Sequence, residues 1–294
     1  MRDEASVQVP ATSANLGPGF DAFGLAVGLH DQVHVRATTG ATSVHVTGAG
    51  AGEVPDGEDH LVVRAIRVAL DHVGAPQAGL ELRCQNTIPH GRGLGSSAAA
   101  VVAGLVAARG LISEPEALDD AMVLQLATEF EGHPDNAAPA LHGGATIAWT
   151  EDGRARAASV PLDPDLAVSV LIPQATLRTA RARTALPRTV PHGDAAMTAG
   201  RAGLLTLALG GRTDLLFPAT QDLLHQPYRG EVMPDSVRLL GQLRAAGLPA
   251  VISGAGPSVL VFGKLNAEQL TAIPAGWRVR HPSIDRDGTV LRQC

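Results

Sequence analysis

The chain has 294 residues, 45% hydrophobic and 18% charged, which is long enough to bury a full core and too apolar for a disordered chain. Its formal net charge of −6 argues against nucleic acid or an anionic membrane as a partner. Two cysteines, Cys84 and Cys294, exclude a disulfide framework or a zinc site, and no apolar run reaches the length of a membrane span.

The opening residues, Met1-Arg-Asp-Glu-Ala5, carry no apolar leader core, so a reducing cytoplasm is the expected compartment. Val7 and Val9 predict a strand over 5–9, which the loop 10–21 interrupts. Further strands are expected near 31–37 and 43–47. Leu61, Val62, Ala65, Ile66, Ala69, Leu70 and Val73 recur at helical spacing over 59–73, with Asp59 as cap and Gly74 as terminator. A strand over 79–85 holds Cys84 in the core and leads into a glycine-rich loop. An alanine-rich helix follows over 97–109, with Gly110 just past its end. A second helix, 115–129, has Pro115 in its first turn and Ser113 with Glu116 as a capping pair. A strand near 144–149 closes the first half, and Gly153 with Pro161 and Pro164 sets a boundary near 152. The expected domains are therefore 1–152 and 153–294. In the second, strands are expected at 166–172, 249–253, 258–262, 277–281 and 288–292. Helices are expected at 194–210, 213–225, 232–246 and 266–272. Cys294 reads as a loose terminal thiol. Strands and helices interleave without a regular βαβ repeat, which favours an α+β class.

The glycine loop carries the chemistry. Residues 88–100 read Ile-Pro-His-Gly-Arg-Gly-Leu-Gly-Ser-Ser-Ala-Ala-Ala. Gly91, Gly93 and Gly95 let the backbone turn tightly and approach a ligand. Ser96 and Ser97 stand where a helix begins and supply its N-cap. The unpaired N–H groups and dipole of that first turn make an anion cradle, and a nucleotide phosphate is the expected anion. The spacing is neither a Walker A loop nor the Rossmann Gly-x-Gly-x-x-Gly. The bland alternative is a glycine turn capping an ordinary helix. Lys264 is the single lysine among 23 basic residues and reads as a solvated turn residue. Any anion clamp must therefore come from arginine, backbone or metal, and arginine's planar fork suits carboxylates.

The segment from Pro89 to Ala98 resembles the phosphate loop of the GHMP kinases. Three other segments are similar to that superfamily in the same order. Pro10-Ala-Thr-Ser-Ala-Asn-Leu-Gly-Pro-Gly-Phe-Asp21 resembles the substrate-side motif of its homoserine kinases. Glu131-Gly-His-Pro-Asp-Asn136 resembles the metal and acceptor segment, and Ser253-Gly-Ala-Gly-Pro-Ser258 the third glycine loop. The resemblance implies a ribosomal-protein-S5-like N-terminal domain followed by a ferredoxin-like C-terminal domain. It implies transfer of the γ-phosphoryl of Mg-ATP to L-homoserine, giving O-phospho-L-homoserine in threonine synthesis, by a cytoplasmic homodimer. ATP would meet Pro89, His90, Gly91, Arg92, Gly93, Leu94, Gly95, Ser96, Ser97 and Ala98, with Leu61 and Val62 beside the adenine. Those homoserine kinases often have Asn-Leu-Val where this chain has His60-Leu61-Val62. Mg²⁺ would be held by Ser97 and Glu131, with Glu129 as the rival acid.

An amino-acid acceptor is a zwitterion, so its site needs an acid and at least one arginine. The resemblance puts Asp21 at the ammonium with Asn15 beside it, and Arg183 and Arg229 at the carboxylate. It places Thr179, His133, Gly254 and Gly256 near the substrate, and leaves Arg178 and Arg181 as surface residues. Asn136 stands where mevalonate and galactose kinases have a catalytic aspartate. Either Asp21 assists proton transfer, or the γ-phosphate takes the proton while Asn136 and Asn15 orient the hydroxyl; the second is preferred. The alternatives are a GHMP kinase for another small alcohol, mevalonate-like or a sugar, and an inactive ligand-binding relative.

Overall fold

The computed structural model describes residues 3–292, so Cys294 lies outside the described residues. The first layer is a seven-stranded, mainly antiparallel sheet. Its strands include β1 (Glu4–Ala14), β2 (Phe23–Thr38), β3 (Ser43–Gly48), β4 (Gly79–Asn86), β5 (Ala145–Glu151) and β6 (Arg154–Val160). β1 does not stop at Val9. Its alternating burial gives way to burial on both faces from Val9 to Ala14. Pro10, which has no N–H to donate, is accommodated by a register shift between Pro10 and Ala11 against β2. The strand therefore runs through half of the segment expected to be loop and delivers Asn15 to the site.

Helix α1 (Leu61–His72) has His60 rather than Asp59 at its N-cap, and no side chain caps it. Helix α2 (Ser96–Leu111) is likewise capped by no serine side chain. Gly95, at φ +68°, precedes it, and Ser96 and Ser97 form its first turn. Gly110 is inside α2 because the helix crosses β1 there. A Cβ at Gly110 would come within 2.7 Å of Ala5 Cβ. Close approach also explains the small residues elsewhere on α2. A Cβ at Gly104 would sit 2.6 Å from Val62 O and 2.7 Å from Ala65 Cβ of α1. The helix expected at 115–129 splits into a 3₁₀ turn (Pro115–Leu118) and α3 (Asp120–Glu131). Asp119 caps α3 by accepting from Met122 N–H at 2.8 Å, replacing the expected Ser113/Glu116 pair. The short α4 (Ala137–His142) follows, ahead of β5.

The boundary expected at residue 152 falls in the turn of the β5–β6 hairpin, so the first layer continues to Val160. The chain then builds a second, four-stranded sheet. Its elements are β7 (Val168–Pro173), α5 (Thr179–Thr184), α6 (His192–Leu209), α7 (Leu216–Ala219), α8 (Pro234–Ala245), β8 (Ala250–Ile252), β9 (Val259–Phe262), α9 (Ala267–Thr271) and β10 (Trp277–Arg280). The order β10-β7-β9-β8, with α8 and α9 as the flanking helices, is the ferredoxin-like βαββαβ arrangement. The last strand, β11 (Val290–Arg292), returns to pair with β1 in the first sheet. The helix expected at 213–225 ends at Ala219. Beyond it the Asp222 carboxylate accepts N–H bonds from Leu224, His225 and Gln226, which turns the chain toward Arg229. Lys264 is exposed in the β9–α9 turn and Cys84 is buried on β4, both as expected. Among the described residues no helix is long and apolar enough to cross a membrane.

Candidate active site

Two cavities of about 270 Å³ each meet at the start of α2, where Ser96 and Ser97 line both. The loop between β4 and α2 forms their shared edge. Gly93 (φ +69°) and Gly95 (φ +68°) use backbone conformations that favour glycine. Both are also packed too closely for a side chain. A Cβ at Gly93 would overlap Ser253 O, and one at Gly95 would overlap Thr12 Oγ1. The loop is tied to its surroundings on three sides. Thr12 N–H donates to Leu94 O at 3.1 Å and Leu177 N–H to Gly91 O at 2.8 Å. Ser253 Oγ donates to Gly93 O at 2.6 Å. The third glycine loop therefore braces the first, and the N–H groups of the α2 first turn open onto the cavity.

One cavity is apolar and is lined by Val54, Pro55, His60, Leu61, Val62 and His90. His60 is 6% exposed and its Nδ1 has no hydrogen-bond partner. Burial, reinforced by the neighbouring His90, holds the His60 pKa below its ordinary value, so the ring is neutral at physiological pH.

The other cavity collects the sequence-predicted polar residues Asn15, Asp21, Ser97, Glu131, His133, Asn136, Thr179, Arg183 and Arg229, together with Gly254. Ser97 Oγ donates to Glu131 Oε1 at 2.6 Å. Glu129 instead accepts from Gln125 Nε2 at 2.8 Å, away from the cavity. A hydroxyl and a carboxylate side by side at the start of α2 are hard oxygen donors, and they fit a Mg²⁺ ion.

Asp21 and Arg183 form a bidentate ion pair, with Arg183 Nη2 and Nη1 at 2.7 and 3.0 Å from the two carboxylate oxygens. Arg183 comes from α5 of the second layer, so the pair bridges the two layers. Asn15 is engaged at both ends of its amide. Its Nδ2 donates to Gly254 O at 2.9 Å and its Oδ1 accepts from Asp21 N–H at 2.9 Å. It shapes the loop that presents Asp21. Arg229 is 1% exposed and donates from Nη1 to Gly254 O at 2.7 Å, while its Nε has no partner. Among the described residues Arg229 has no carboxylate in ion-pair contact. Burial first, and the Arg183 charge second, bring its pKa down to about 10. Asn136 Oδ1 accepts from Thr12 Oγ1 at 2.8 Å, and its Nδ2 donates to Asp135 Oδ1 at 3.2 Å.

Several placements differ from expectation. Pro89, Arg92 and Gly256 line neither cavity. Arg92 donates to the carbonyls of His90, Gln174 and Pro173, so it fastens the loop to β7 rather than facing a phosphate. Gly256 packs on Met233, where a Cβ would meet its Sδ at 2.6 Å. Arg178 and Arg181 are both exposed, as expected, and Arg178 also lines the polar cavity. Sequence reasoning missed Asp135 and Thr12. Asp135 is 2% exposed and pairs with His133 Nδ1 at 2.5 Å, a contact that raises the His133 pKa. The signal was present, since Asp135 lies between two residues already singled out.

Comparison with known proteins shows the family. Residues 60–144 match the family model for the GHMP kinases N terminal domain, and residues 206–273 match GHMP kinases C terminal. A homoserine kinase of Streptomyces coelicolor is 50% identical over 288 residues, covering 97% of this chain and 93% of that protein. One of Mycolicibacterium smegmatis is 51% identical over 265 residues, covering 87% and 84%. The crystal structure of homoserine kinase from Cytophaga hutchinsonii superimposes with a TM-score of 0.82 at 28% identity, covering 99% of this chain and 98% of that one.

Proposed function

We propose, since this chain belongs to the homoserine kinases of the GHMP kinase family, that it transfers the γ-phosphoryl group of Mg-ATP to the side-chain hydroxyl of L-homoserine. The observation that carries the acceptor is Arg229. A buried guanidinium with no carboxylate in contact, beside the Asp21–Arg183 pair, calls for a ligand that brings its own carboxylate and ammonium. Such a charge-assisted contact is stronger than a neutral one in a desolvated site.

Phosphoryl transfer asks the protein chiefly for alignment and charge neutralisation. The apolar cavity takes the adenine, and its walls are Leu61, Val62 and the neutral His60. The α2 first turn receives the phosphates through backbone N–H groups. Ser97 and Glu131 would hold Mg²⁺, which when bound would supply positive charge to neutralise the phosphates. Arg229 and Arg183 take the acceptor carboxylate and Asp21 takes its ammonium, with Thr179 and His133 at the rim. Asn136, held by Thr12 and Asp135, orients the hydroxyl, and the γ-phosphate receives its proton. Asn15 acts by holding Asp21 and Gly254 in place. We read the protein as a cytoplasmic homodimer, with the phosphate-binding unit in the first half of the chain.

The test is a coupled ADP-release assay with Mg-ATP against L-homoserine, mevalonate, galactose, L-threonine and no acceptor. Turnover with homoserine supports the reading. Turnover only with another alcohol keeps the phosphate loop but removes the acceptor assignments.

A further inference from the structure

Phe20 stands behind the acceptor cavity without lining it. Three side chains converge on its ring. The Arg183 guanidinium carbon lies 5.7 Å from the ring centroid and that of Arg229 lies 6.0 Å away. The His225 ring stacks on Phe20 with centroids 5.0 Å apart and planes 24° from parallel. His225 is fully buried and donates from Nε2 to Gly17 O at 2.7 Å, while Asp222 accepts its backbone N–H. Burial lowers the His225 pKa against the pull of the Asp222 carboxylate, 3.4 Å from its Nε2, so the imidazole under Phe20 is uncharged. Phe20 thus meets two cations and a neutral aromatic support.

The electrostatics give this arrangement a purpose. Arg183 and Arg229 repel one another, and only Arg183 has a carboxylate partner. The face of an aromatic ring is negative and attracts a guanidinium without competing for its hydrogen-bond donors. A carboxylate in the same place would neutralise the arginines and exclude an anionic ligand. An aliphatic side chain would fill the volume and supply no attraction.

We propose that Phe20, supported by His225, is a positioning residue that holds Arg183 and Arg229 together as one receptor for the acceptor carboxylate. The inference rests on the reading of the acceptor as an amino acid. It predicts an effect on that substrate's carboxylate alone.

Steady-state kinetics of the full chain test it. In Phe20→Leu, KM for L-homoserine rises about tenfold, from two lost cation–aromatic contacts, while kcat and KM for ATP stay within about twofold. The analogue 3-amino-1-propanol has the ammonium and hydroxyl but no carboxylate, and its kcat/KM is unchanged by the substitution. Phe20→Tyr keeps the aromatic face and restores the homoserine KM. Equal losses for the two acceptors, or a Phe20→Tyr protein no better than Phe20→Leu, would overturn the positioning role. Absence of homoserine turnover in the unsubstituted protein would overturn the acceptor reading itself, and this role with it.

Discussion

Arg229→Met separates the binding of substrate from the stability of the fold. Arg229 is 1% exposed, and its pKa falls to about 10 from an ordinary value above 12. The charged form is therefore disfavoured on folding. That cost is fully present below pH 10 and is relieved only as the pH climbs from about 10 to above 12. The difference corresponds to about 3 kcal/mol against the folded protein. The hydrogen bond to Gly254 O and the Phe20 face favour the charged form and keep that net cost from being larger. Little of the fold's stability therefore depends on the charge. Methionine keeps most of the apolar stem and removes the charge, so thermal unfolding should shift by no more than about 5 °C. Substrate binding has no such compensation. Losing one arm of a desolvated charged contact costs about 2–5 kcal/mol, so KM for homoserine should rise roughly 30-fold or more while KM for ATP holds. Differential scanning fluorimetry and steady-state kinetics on the same preparation read both quantities. A fall in Tm beyond about 10 °C, or parallel rises in the two KM values, would show Arg229 to be a structural residue.

Other residues yield separate tests. Asp31, buried against the start of the β4–α2 glycine loop, has its pKa pushed up to about 6 by burial while one carboxylate oxygen accepts N–H bonds from Thr87 and Ile88 at 2.6 and 2.9 Å. Its folded value lies above its unfolded one, so its charge costs stability that grows between about pH 4 and 6 and stays constant above. Asp31→Asn keeps both acceptor bonds, so it should stabilise the protein at pH 7–8 by up to about 3 kcal/mol with no gain at pH 4; a lower Tm at both pH values would refute this. Asn136→Ala should lower kcat about 10- to 100-fold by releasing the acceptor hydroxyl, with the ionisations of the pH profile retained. A lost ionisation would mean that the segment supplies a base. Glu131→Gln should raise the Mg²⁺ concentration for half-maximal rate about tenfold while leaving the homoserine KM alone; an unchanged Mg²⁺ requirement would place the metal elsewhere.

Features that depend on local backbone demands were legible in the sequence. Gly93 and Gly95 announce themselves because their φ values and their close neighbours both exclude a side chain. The alanine-rich α2 was visible because small residues are needed where it crosses α1 and β1. Features decided by tertiary partners were not. Pro10 reads as a loop residue, and only the shifted pairing with β2 lets a strand pass through it. The helix pattern over 213–225 was overruled by Asp222, whose carboxylate offers three backbone N–H groups an alternative to helical bonds. Arg92 sits inside the segment that resembles a phosphate loop yet turns away from both cavities, because three carbonyls near the loop accept from its donors. Asp135 is a mixed case: its position between His133 and Asn136 marks it in the sequence, whereas its burial and its contacts with both appear only in three dimensions.

Under the proposed acceptor assignment, the Asp21–Arg183 pair gives the polar cavity a selectivity that neither residue would have alone. Each partner is about one-third exposed and meets the other across the two layers. A ligand carboxylate gains Arg183 only by competing with Asp21, which then loses part of its counter-charge. An ammonium on the same ligand restores what Asp21 loses. A monoanionic alcohol such as mevalonate has no such group and would leave the Asp21 carboxylate under-compensated in a partly desolvated cavity, which is costly. A neutral sugar would leave Arg229 without an anion. The zwitterion is the ligand for which every charge in the cavity ends with a partner, so discrimination among small alcohols follows from charge balance before shape is considered.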